Sequence, residues 1–376
     1  MTRVLLVSPL PPPEGGISAW TQTLMRHGLP DGFDLELVDT RVARKHWREP
    51  TRLTPGELRR LTRIWRQVRG HLKGGRIDVM HLNNSPTSTL GVFRDYVVAR
   101  IAVHYGVPFA VQMRGRFSVP AGGGLIARAR RRAFAGIFER AAIVLTLNSE
   151  SSRAVVELAP LLGDKVEQVP NFIVCDEMPK REQPLPDGAK MQVVFAGTLT
   201  PNKGIRTMLE VLKRTEGIHL TLIGPTAGES KAEVEAVLNS PELADRITAT
   251  GSLTVSESRR AIASGDVYLF PSEHEGFPIS VLEAMTAGLA VVASPVGAIP
   301  DMIDVPAGGE LIPSGDVAPY VVALERLRDN PDLRIKMGAH NRARALTDYD
   351  FSIAVRKLCD VYARIVSSAS QLTTSH

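Results

Sequence analysis

The sequence of 376 residues contains little cysteine and no long apolar run. Its two cysteines, Cys175 and Cys359, form no Cys-x-x-Cys pair and lack a histidine partner nearby in the sequence, so we expect neither a disulfide framework nor a zinc site. No stretch approaches the roughly 18 apolar residues of a spanning helix, and the first residues are too poor in apolar positions for a signal peptide. These absences predict a protein of the reducing cytoplasm, at most peripheral on the inner face of the cell membrane.

The composition is otherwise that of an ordinary folded protein, with 44% apolar and 23% charged residues. The length exceeds what one hydrophobic core usually supports and suits two domains. The net charge of +5 is unevenly distributed, because residues 1–180 carry a net charge of +10 and residues 181–376 one of −5. A basic half of this kind indicates an anionic partner, which could be a nucleic acid, a phospholipid surface or a phosphorylated substrate.

Short β-branched runs alternate with helical patterns in both halves, which is typical of parallel α/β sheets. The predicted strands are 4–7, 34–38, 77–82, 107–112 and 142–147, then 192–197, 219–223, 246–250, 266–270 and 289–293. We therefore predict an α/β protein with two Rossmann-like domains, 1–175 and 191–351, that face a central crevice. The proline-rich segment 176–190 is the predicted linker, and the amphipathic helix 352–369 is expected to pack back on the first domain.

A glycine-containing loop follows the first strand of each domain. Gly15 and Gly16 precede a helix whose backbone N–H groups suit a phosphate, although a proline-rich turn explains the segment equally well. Lys203, beside Gly204, is placed to neutralise a diphosphate, and a surface lysine at a turn is the alternative. Neither loop matches the dinucleotide fingerprint or the Walker pattern.

Glu275 and Glu283 flank the start of a predicted helix that follows the strand 266–270. The helical part of their spacing is about one turn, so both carboxylates can border one pocket. A pair of carboxylates could also indicate a glycosidase. The two acids of a glycosidase normally come from separate elements on either side of the glycosidic bond, so the spacing of Glu275 and Glu283 disfavours that function. We interpret the two acids as groups that bind the hydroxyls of a ribose or another sugar. The backbone N–H groups of residues 276–280 would bind a phosphate beside them.

With these motifs the chain resembles a retaining glycosyltransferase of family 4 (glycosyl transferases group 1, GT-B fold) over nearly its full length. The strongest element is the E-x7-E signature of Glu275 and Glu283. The supporting elements are Gly15-Gly16, Val169-Pro170-Asn171, Gly197 with Lys203-Gly204, Thr250-Gly251 and the closing helix at Tyr362. The resemblance implies that a sugar moves from a nucleotide-diphosphate sugar, UDP or GDP, to an acceptor, with retained configuration and without metal or cofactor. The implied acceptor is a glycan or lipid-linked intermediate of bacterial surface polysaccharide synthesis.

The resemblance also implies a role for each motif residue. The first domain would bind the acceptor and the second the nucleotide-sugar. Glu283 would hold the ribose, Lys203 the diphosphate and Glu275 the hydroxyls of the donor sugar. The implied donor-binding set also contains Gly15, Gly16, Gly197, Thr198, Gly251, Leu253, Gly276, Phe277, Pro278 and Ile279.

Two positions depart from the family's usual pattern. Thr198 stands where such enzymes usually have an arginine, and Arg114 stands where they usually have a histidine before a glycine. We expect Arg114 to supply the missing positive charge. The predicted catalytic residues are Glu275, Lys203, Arg114 and His81, and the predicted acceptor-binding residues are Asn83, Arg114 and Arg116. A satisfied histidine at a strand end is an equally good interpretation of His81.

Two basic amphipathic segments lie in the first domain. One carries Arg63, Arg66 and Arg69 beside the apolar stripe Leu58, Leu61, Trp65, Val68 and Leu72, and the other carries Arg130, Arg131 and Arg132. They predict docking on an anionic membrane, while solvated arginines on helices packed against the sheet are the alternative. Two further functions stay open at this point. One is a sugar-nucleotide 2-epimerase of the same fold, and the other is a nucleic-acid-binding protein, although these segments lack interleaved surface aromatics.

Overall fold

The structure, a computed structural model, describes residues 1–12, 15–42, 53–84, 88–115, 122–181, 189–228 and 230–374. The chain divides into two compact units. Unit 1 comprises Met1–Asn171 and Ala354–His376, and unit 2 comprises Phe172–Ile353. Unit 1 therefore ends a few residues before the predicted boundary and includes most of the last helix. Of the predicted linker, residues 182–188 lie outside the described part of the chain.

Each unit is built on a parallel six-stranded sheet. The strands of unit 1 are β1 (Thr2–Ser8), β2 (Phe33–Asp39), β3 (Val79–Asn84), β4 (Phe109–Met113), β5 (Ile143–Thr146) and β6 (Val166–Gln168). Those of unit 2 are β7 (Met191–Ala196), β8 (Ile218–Ile223), β9 (Ile247–Gly251), β10 (Val267–Phe270), β11 (Ala290–Ala293) and β12 (Gly309–Leu311). The spatial orders are β2-β1-β3-β4-β5-β6 and β12-β11-β10-β7-β8-β9.

Helices connect the strands, as parallel pairing requires. The first five are α1 (Gly16–His27), α2 (Pro55–Lys73), α3 (Thr89–His104), α4 (Leu125–Arg140) and α5 (Ser149–Leu158). Unit 2 contains α6 (Ile205–Arg214), α7 (Ser230–Leu238), α8 (Val255–Ala263), α9 (Ile279–Ala287), α10 (Ile299–Met302), α11 (Val317–Asp329) and α12 (Pro331–Arg344). The last helix, α13 (Phe351–Thr374), begins in unit 2 and continues in unit 1.

The core strands are nearly continuous apolar runs because helices cover the sheets. Every residue of β4, β10 and β11 is buried. In unit 1, Leu5 and Val7 of β1 share one apolar cluster with Ile64 and Val68 of α2. The predicted α/β class with two Rossmann-like units is confirmed, and each predicted strand overlaps an observed one. The edge strands β6 and β12 were not predicted, because three residues are too few to show a pattern.

The strand order of each sheet reverses at one place. In unit 1 the chain runs from β1 to β2 on one side and then to β3 on the other, so the reversal lies between β1 and β3. In unit 2 it lies between β7 and β10. Ligands of open parallel sheets bind at the carboxyl ends of the strands at such a point. Ligand-binding residues are therefore expected in the loops after β1, β3, β7 and β10.

Candidate functional site

The loops after β7 and β10 in unit 2 meet at the switch point of that sheet. Helix α6 follows the first loop and α9 the second, and neither has a side-chain N-cap or an acidic residue in its first turn. The first N–H groups of a helix have no partner within it and carry a partial positive charge. Two such helix starts at adjacent strand ends favour a ligand with negative charge.

The two loops are joined by hydrogen bonds and close packing. The backbone N–H of Glu273 donates to the carbonyl of Asn202 at 2.9 Å, and the Ser272 hydroxyl donates to the same carbonyl at 3.3 Å. Gly204 has a φ of 75°, and a Cβ there would lie 2.2 Å from the carbonyl oxygen of Pro271. Only glycine lets the Lys203 loop approach the second loop this closely.

Lys203 and Glu275, which the sequence predicts to bind one ligand, are in direct contact. The Lys203 ammonium forms an ion pair with Oε1 of Glu275, and the Ser272 hydroxyl donates to the same oxygen at 2.8 Å. The side chains remain partly exposed, at 26% for Lys203 and 10% for Glu275. Within the described residues, Oε2 of Glu275 accepts no hydrogen bond, so one oxygen is anchored and the other is available.

Gly297 supports the same loop and was missed by the sequence analysis. Its φ is 58°, and a Cβ there would lie 2.5 Å from the carbonyl oxygen of Glu275. The next residue, Ala298, donates its N–H to the carbonyl of Gly276 at 2.9 Å. Its position shortly after β11 is the only signal in the sequence, and the contact partner is visible only in three dimensions.

Glu283 lies inside α9 and pairs with an arginine that the sequence analysis also missed. Nε of Arg259, on α8, lies 3.2 Å from Oε1 of Glu283, and Nη1 of Arg259 lies 3.0 Å from Oε2 of Glu177. Burial raises the pKa of Glu283, and the charge of Arg259 and its hydrogen bond oppose that rise. As for Glu275, Oε2 of Glu283 accepts no hydrogen bond from the described residues.

The remaining predicted donor residues lie along the same edge of unit 2. Gly197 follows β7 and Gly251 ends β9. The end of β8 joins them, because Gly197 donates its N–H to the carbonyl of Ile223 and Gly224 donates its N–H to the carbonyl of Gly251, at 2.9 and 3.1 Å. Thr198 is exposed and Leu253 is 36% exposed. The residues that lead into α9 are partly or fully buried, and they are Gly276, Phe277, Pro278 and Ile279. Beneath them, the hydroxyl of Tyr268 bonds the backbone of Ala196 and ties β10 to β7.

In unit 1 the corresponding switch point holds a buried polar network. The amide of Asn83, at the end of β3, donates to the Ser8 hydroxyl at 2.8 Å, and Ser8 is 2.6 Å from the Thr21 hydroxyl of α1. Gly15 and Gly16, at the start of α1, are exposed, and α1 has no side-chain cap and no acid in its first turn. Asn83 itself is fully buried, so it acts inside unit 1.

Arg114 is at the centre of this network. Its Nε donates to Asn83 and its Nη1 to Asn171, both at 2.5 Å, and its guanidinium carbon lies 3.7 Å from the ring centroid of Trp20. Burial lowers the pKa of Arg114 well below its ordinary value. None of these partners is a carboxylate, and Nη2 has no hydrogen-bond partner among the described residues. Arg116, the other predicted cation here, lies outside the described part of the chain.

His81 is fully buried and belongs to the packing of unit 1. Its Nδ1 lies 2.6 Å from the hydroxyl of Tyr362 on α13, and its ring packs edge-on against Trp20 and Tyr362. Burial, reinforced by the charge of Arg114, lowers the pKa of His81 to about 3, so the ring is neutral near pH 7. Nε2 of His81 has no hydrogen-bond partner among the described residues, so the ring is only half satisfied. The structure places His81 inside unit 1 without solvent contact, and its catalytic role stays a prediction.

The basic segments of unit 1 differ in what they expose. Helix α2 buries most of its apolar stripe, including Leu61, Val68 and Leu72, and exposes Arg63, Arg66 and Arg69. In α4, Arg132 is exposed and Arg130 and Arg131 are half-buried, while Leu125 and Ile126 at its start are 84% and 68% exposed. Within the described ranges, no helix is long and apolar enough to cross a bilayer, and no group of three metal-ligating side chains occurs.

Comparisons with known proteins identify both units. A family model described as "Glycosyl transferases group 1" matches residues 190–330, and one described as "Glycosyl transferase 4-like domain" matches residues 5–171. The amylovoran biosynthesis glycosyltransferase AmsK of Erwinia amylovora is 28% identical over 46% of this chain and 45% of its own length. Phosphatidyl-myo-inositol mannosyltransferase of Mycobacterium leprae is 29% identical over 56% of this chain and 57% of its own length. The chain spans about half the length of the curated relatives that it matches.

Solved structures share the fold at low sequence identity. The structure of HepE from Anabaena in complex with UDP has a TM-score of 0.71 and 14% identity, and the match covers 97% of this chain and 100% of that one. A likeness at this level of identity shows the architecture alone. It confirms the GT-B class that the resemblance implied.

Proposed function

The chain belongs to the group 1 glycosyl transferases, and from that premise we propose that it transfers a sugar from a nucleotide-diphosphate sugar to a glycan or lipid-linked acceptor. In this proposal unit 2 binds the donor and unit 1 the acceptor. The relatives named for amylovoran biosynthesis and for phosphatidyl-myo-inositol support acceptors of these two kinds. The HepE complex makes UDP the first nucleotide to test.

One observation carries the proposal. At the switch point of unit 2, each of two carboxylates has one oxygen held by a cation, Glu275 by Lys203 and Glu283 by Arg259. The second oxygen of each accepts no hydrogen bond from the described residues. A carboxylate in this state accepts hydrogen bonds from hydroxyl groups, and the two helix starts beside it favour a diphosphate. Hydroxyls on both sides of a diphosphate are what a nucleotide-sugar presents.

We assign to these groups the roles that the family resemblance implies. Glu283 binds the ribose hydroxyls, Glu275 binds a hydroxyl of the transferred sugar, and Lys203 with the N–H groups of α6 and α9 binds the diphosphate. The ion pair with Glu275 fixes the position of the Lys203 ammonium before the donor binds. The preorganised positive groups stabilise the charge that develops on the departing diphosphate.

Retention of configuration belongs to the same proposal. A phosphate oxygen of the leaving group takes the proton of the acceptor hydroxyl, the hydroxyl oxygen bonds the anomeric carbon, and the bond from that carbon to the diphosphate breaks. Arg114 stands where the family's usual pattern has a histidine, and it is the buried cation of the network in unit 1. No side chain forms a covalent intermediate in this scheme.

Nucleotide binding by unit 2 tests the proposal. Titration calorimetry of the full chain with UDP, GDP and ADP should show binding of one of them. Lys203→Ala should weaken that binding by at least about tenfold, because a charge-assisted contact to the diphosphate is lost and Glu275 is left uncompensated beside it. Lys213→Ala is the matched control, since Lys213 is an exposed lysine at the end of α6 that pairs with Glu210. Absence of binding in the parent, or equal binding by the two variants, would contradict these roles.

The membrane is the second partner we propose, at the cytoplasmic face. At the start of α4, the exposed Leu125 and Ile126 lie within one turn of the exposed Arg128. Helix α3 packs against α4 and also against α2. Helix α2 carries the exposed Arg63, Arg66 and Arg69. Apolar side chains next to cations suit the boundary between headgroups and acyl chains of an anionic bilayer. A lipid-linked acceptor would be reached from such a surface.

A further inference from the structure

Arg259 is an arginine held between two carboxylates. It projects from α8 to Glu283 of α9 through Nε and to Glu177 through Nη1, at 3.2 and 3.0 Å. Glu177 ends a short 3-10 turn, Cys175–Glu177, near the start of unit 2. The Arg259 side chain is only 18% exposed, so both contacts are partly shielded from water.

Glu283 depends on such a partner to serve as an acceptor of hydrogen bonds. Its side chain is 13% exposed and its neighbours on α9, Leu282 and Ala284, are fully buried. Burial favours the neutral carboxyl, which has an O–H that donates and loses part of its capacity to accept. A guanidinium at Oε1 favours the ionised form and also fixes the orientation of the carboxylate plane.

We propose that Arg259 is a positioning residue for nucleotide recognition: it anchors Oε1 of Glu283, so that Oε2 accepts from the ribose hydroxyls of the donor, and Glu177 fixes Arg259 in that orientation. This inference rests on the proposed function, because it assumes that unit 2 binds a nucleotide. Glu283 alone contacts the ribose in this proposal, and Arg259 and Glu177, which lie outside the E-x7-E signature, hold it in position.

Among the residues that the structure describes, few ionisable groups other than Arg259 interact with Glu283. Helix α8 contributes Arg259, and strand β10 contributes the buried Tyr268, whose pKa is raised by burial and which therefore stays neutral. Helix α12 contributes Arg342, which donates to the carbonyl of Thr286 further along α9. Glu275 bears on Tyr268 as well, but its own cation is Lys203. Removal of Arg259 therefore takes away the main charge that keeps Glu283 ionised.

The test compares Arg259→Gln with Arg260→Gln, its neighbour on α8, which is exposed and bonds Ser256. Calorimetry is run with the nucleoside diphosphate that the parent binds and with its 2′,3′-dideoxy analogue, at pH 6 to 9. Arg259→Gln should lose about tenfold in affinity for the ribonucleotide at pH 7 and recover part of it as the pH rises. For the dideoxy analogue, Arg259→Gln, Arg260→Gln and the parent should bind alike. Glu177→Gln should show a smaller loss of the same kind.

The possible failures are distinguishable. If the parent binds no nucleotide, the proposed function and this inference both fall. If the parent binds and Arg259→Gln behaves like Arg260→Gln with the ribonucleotide at every pH, only the inference is overturned. If Arg259→Gln loses equal affinity for the ribonucleotide and the dideoxy analogue, Arg259 has a general structural role and the inference is also overturned. Circular dichroism and the melting temperature of each variant establish that it is folded.

Discussion

The ionisation of single buried residues ties the stability of unit 1 to pH. His81 has no contact with solvent, and its pKa is lowered from 6.5 to about 3. The unfolded chain therefore binds a proton between these values that the folded chain does not, so stability falls as the pH decreases below about 6.5. The slope from this residue is about 1.4 kcal/mol per pH unit.

Replacement of His81 by Phe isolates this effect. At pH 7.5 the variant should be less stable by about 1–3 kcal/mol, because the buried hydroxyl of Tyr362 loses its partner. Between pH 6.5 and 4.5 its free energy of unfolding should fall less steeply than that of the parent. Urea denaturation at several pH values measures both, with His104→Gln, an exposed histidine, as the control. Parallel curves for parent and variant would show that His81 titrates normally and is not buried as described.

For single residues, the sequence predicts those that stand within a contiguous motif, but it does not predict their hydrogen-bond or ion-pair partners. Lys203, Glu275 and Glu283 stand in loops or a helix start that the local pattern identifies, and the structure brings Lys203 and Glu275 into contact. Arg259 stands 24 positions before Glu283 on another helix, and Tyr362 stands 281 positions after His81. Only tertiary packing shows such pairs, because no spacing rule connects separate elements.

Among the elements, α2 and α4 differ in the side chains that they expose, which gives separate tests of the proposed membrane binding. Vesicles that contain anionic phospholipid should bind the protein at low salt and release it as the salt concentration rises, since each surface Arg contributes about 1 kcal/mol. Neutral vesicles should bind it poorly. Replacing Arg63, Arg66 and Arg69 together by Gln should weaken sedimentation with anionic vesicles and slow transfer to a lipid-linked acceptor. Binding of free nucleotide should remain unchanged.

The exposed apolar residues at the start of α4 allow a separate test of the apolar contribution to vesicle binding. Leu125→Ser with Ile126→Ser should weaken vesicle binding at high salt more than the triple arginine variant does, because apolar insertion is not screened. The control is Val322→Ser, another exposed apolar residue, which lies on α11 of unit 2. If both variants sediment like the parent, α2 and α4 are solvated elements and the acceptor is reached in another way.

The sequence predicted the elements themselves better than the surfaces they share. Strands with four or more apolar residues were found within a few positions, because burial imposes their period. The last helix, predicted over 352–369, spans Phe351–Thr374. The apolar stripe of α2 left two interpretations open, a membrane face or a helix packed against the sheet, and Leu61, Val68 and Leu72 pack into unit 1. A periodicity shows that one side of a helix is apolar and does not show what covers it.

For the whole molecule, metal independence remains a prediction. The single Asp-x-Asp of the sequence, Asp348 and Asp350, does not follow a strand, and these side chains bond Arg344 and the backbone of Ser352. Activity should be unchanged, within about a factor of two, after dialysis against EDTA, since in the proposed function Lys203 and the starts of α6 and α9 balance the diphosphate charge without a cation. Loss of activity in EDTA that manganese restores would show that a cation takes part.

Turnover of nucleotide-sugars tests the central claim most directly. Mass spectrometry would follow a panel of UDP-, GDP- and ADP-sugars incubated with the full chain, with Glu283→Ala, and with Glu242→Ala as an exposed control. We predict that the parent and Glu242→Ala release nucleoside diphosphate and sugar from one nucleotide class, and that Glu283→Ala does so at least about a hundredfold more slowly while remaining folded. An intact nucleotide-sugar with an epimerised sugar would instead indicate a 2-epimerase. No turnover of any donor, together with salt-dependent binding to RNA or DNA, would contradict the account.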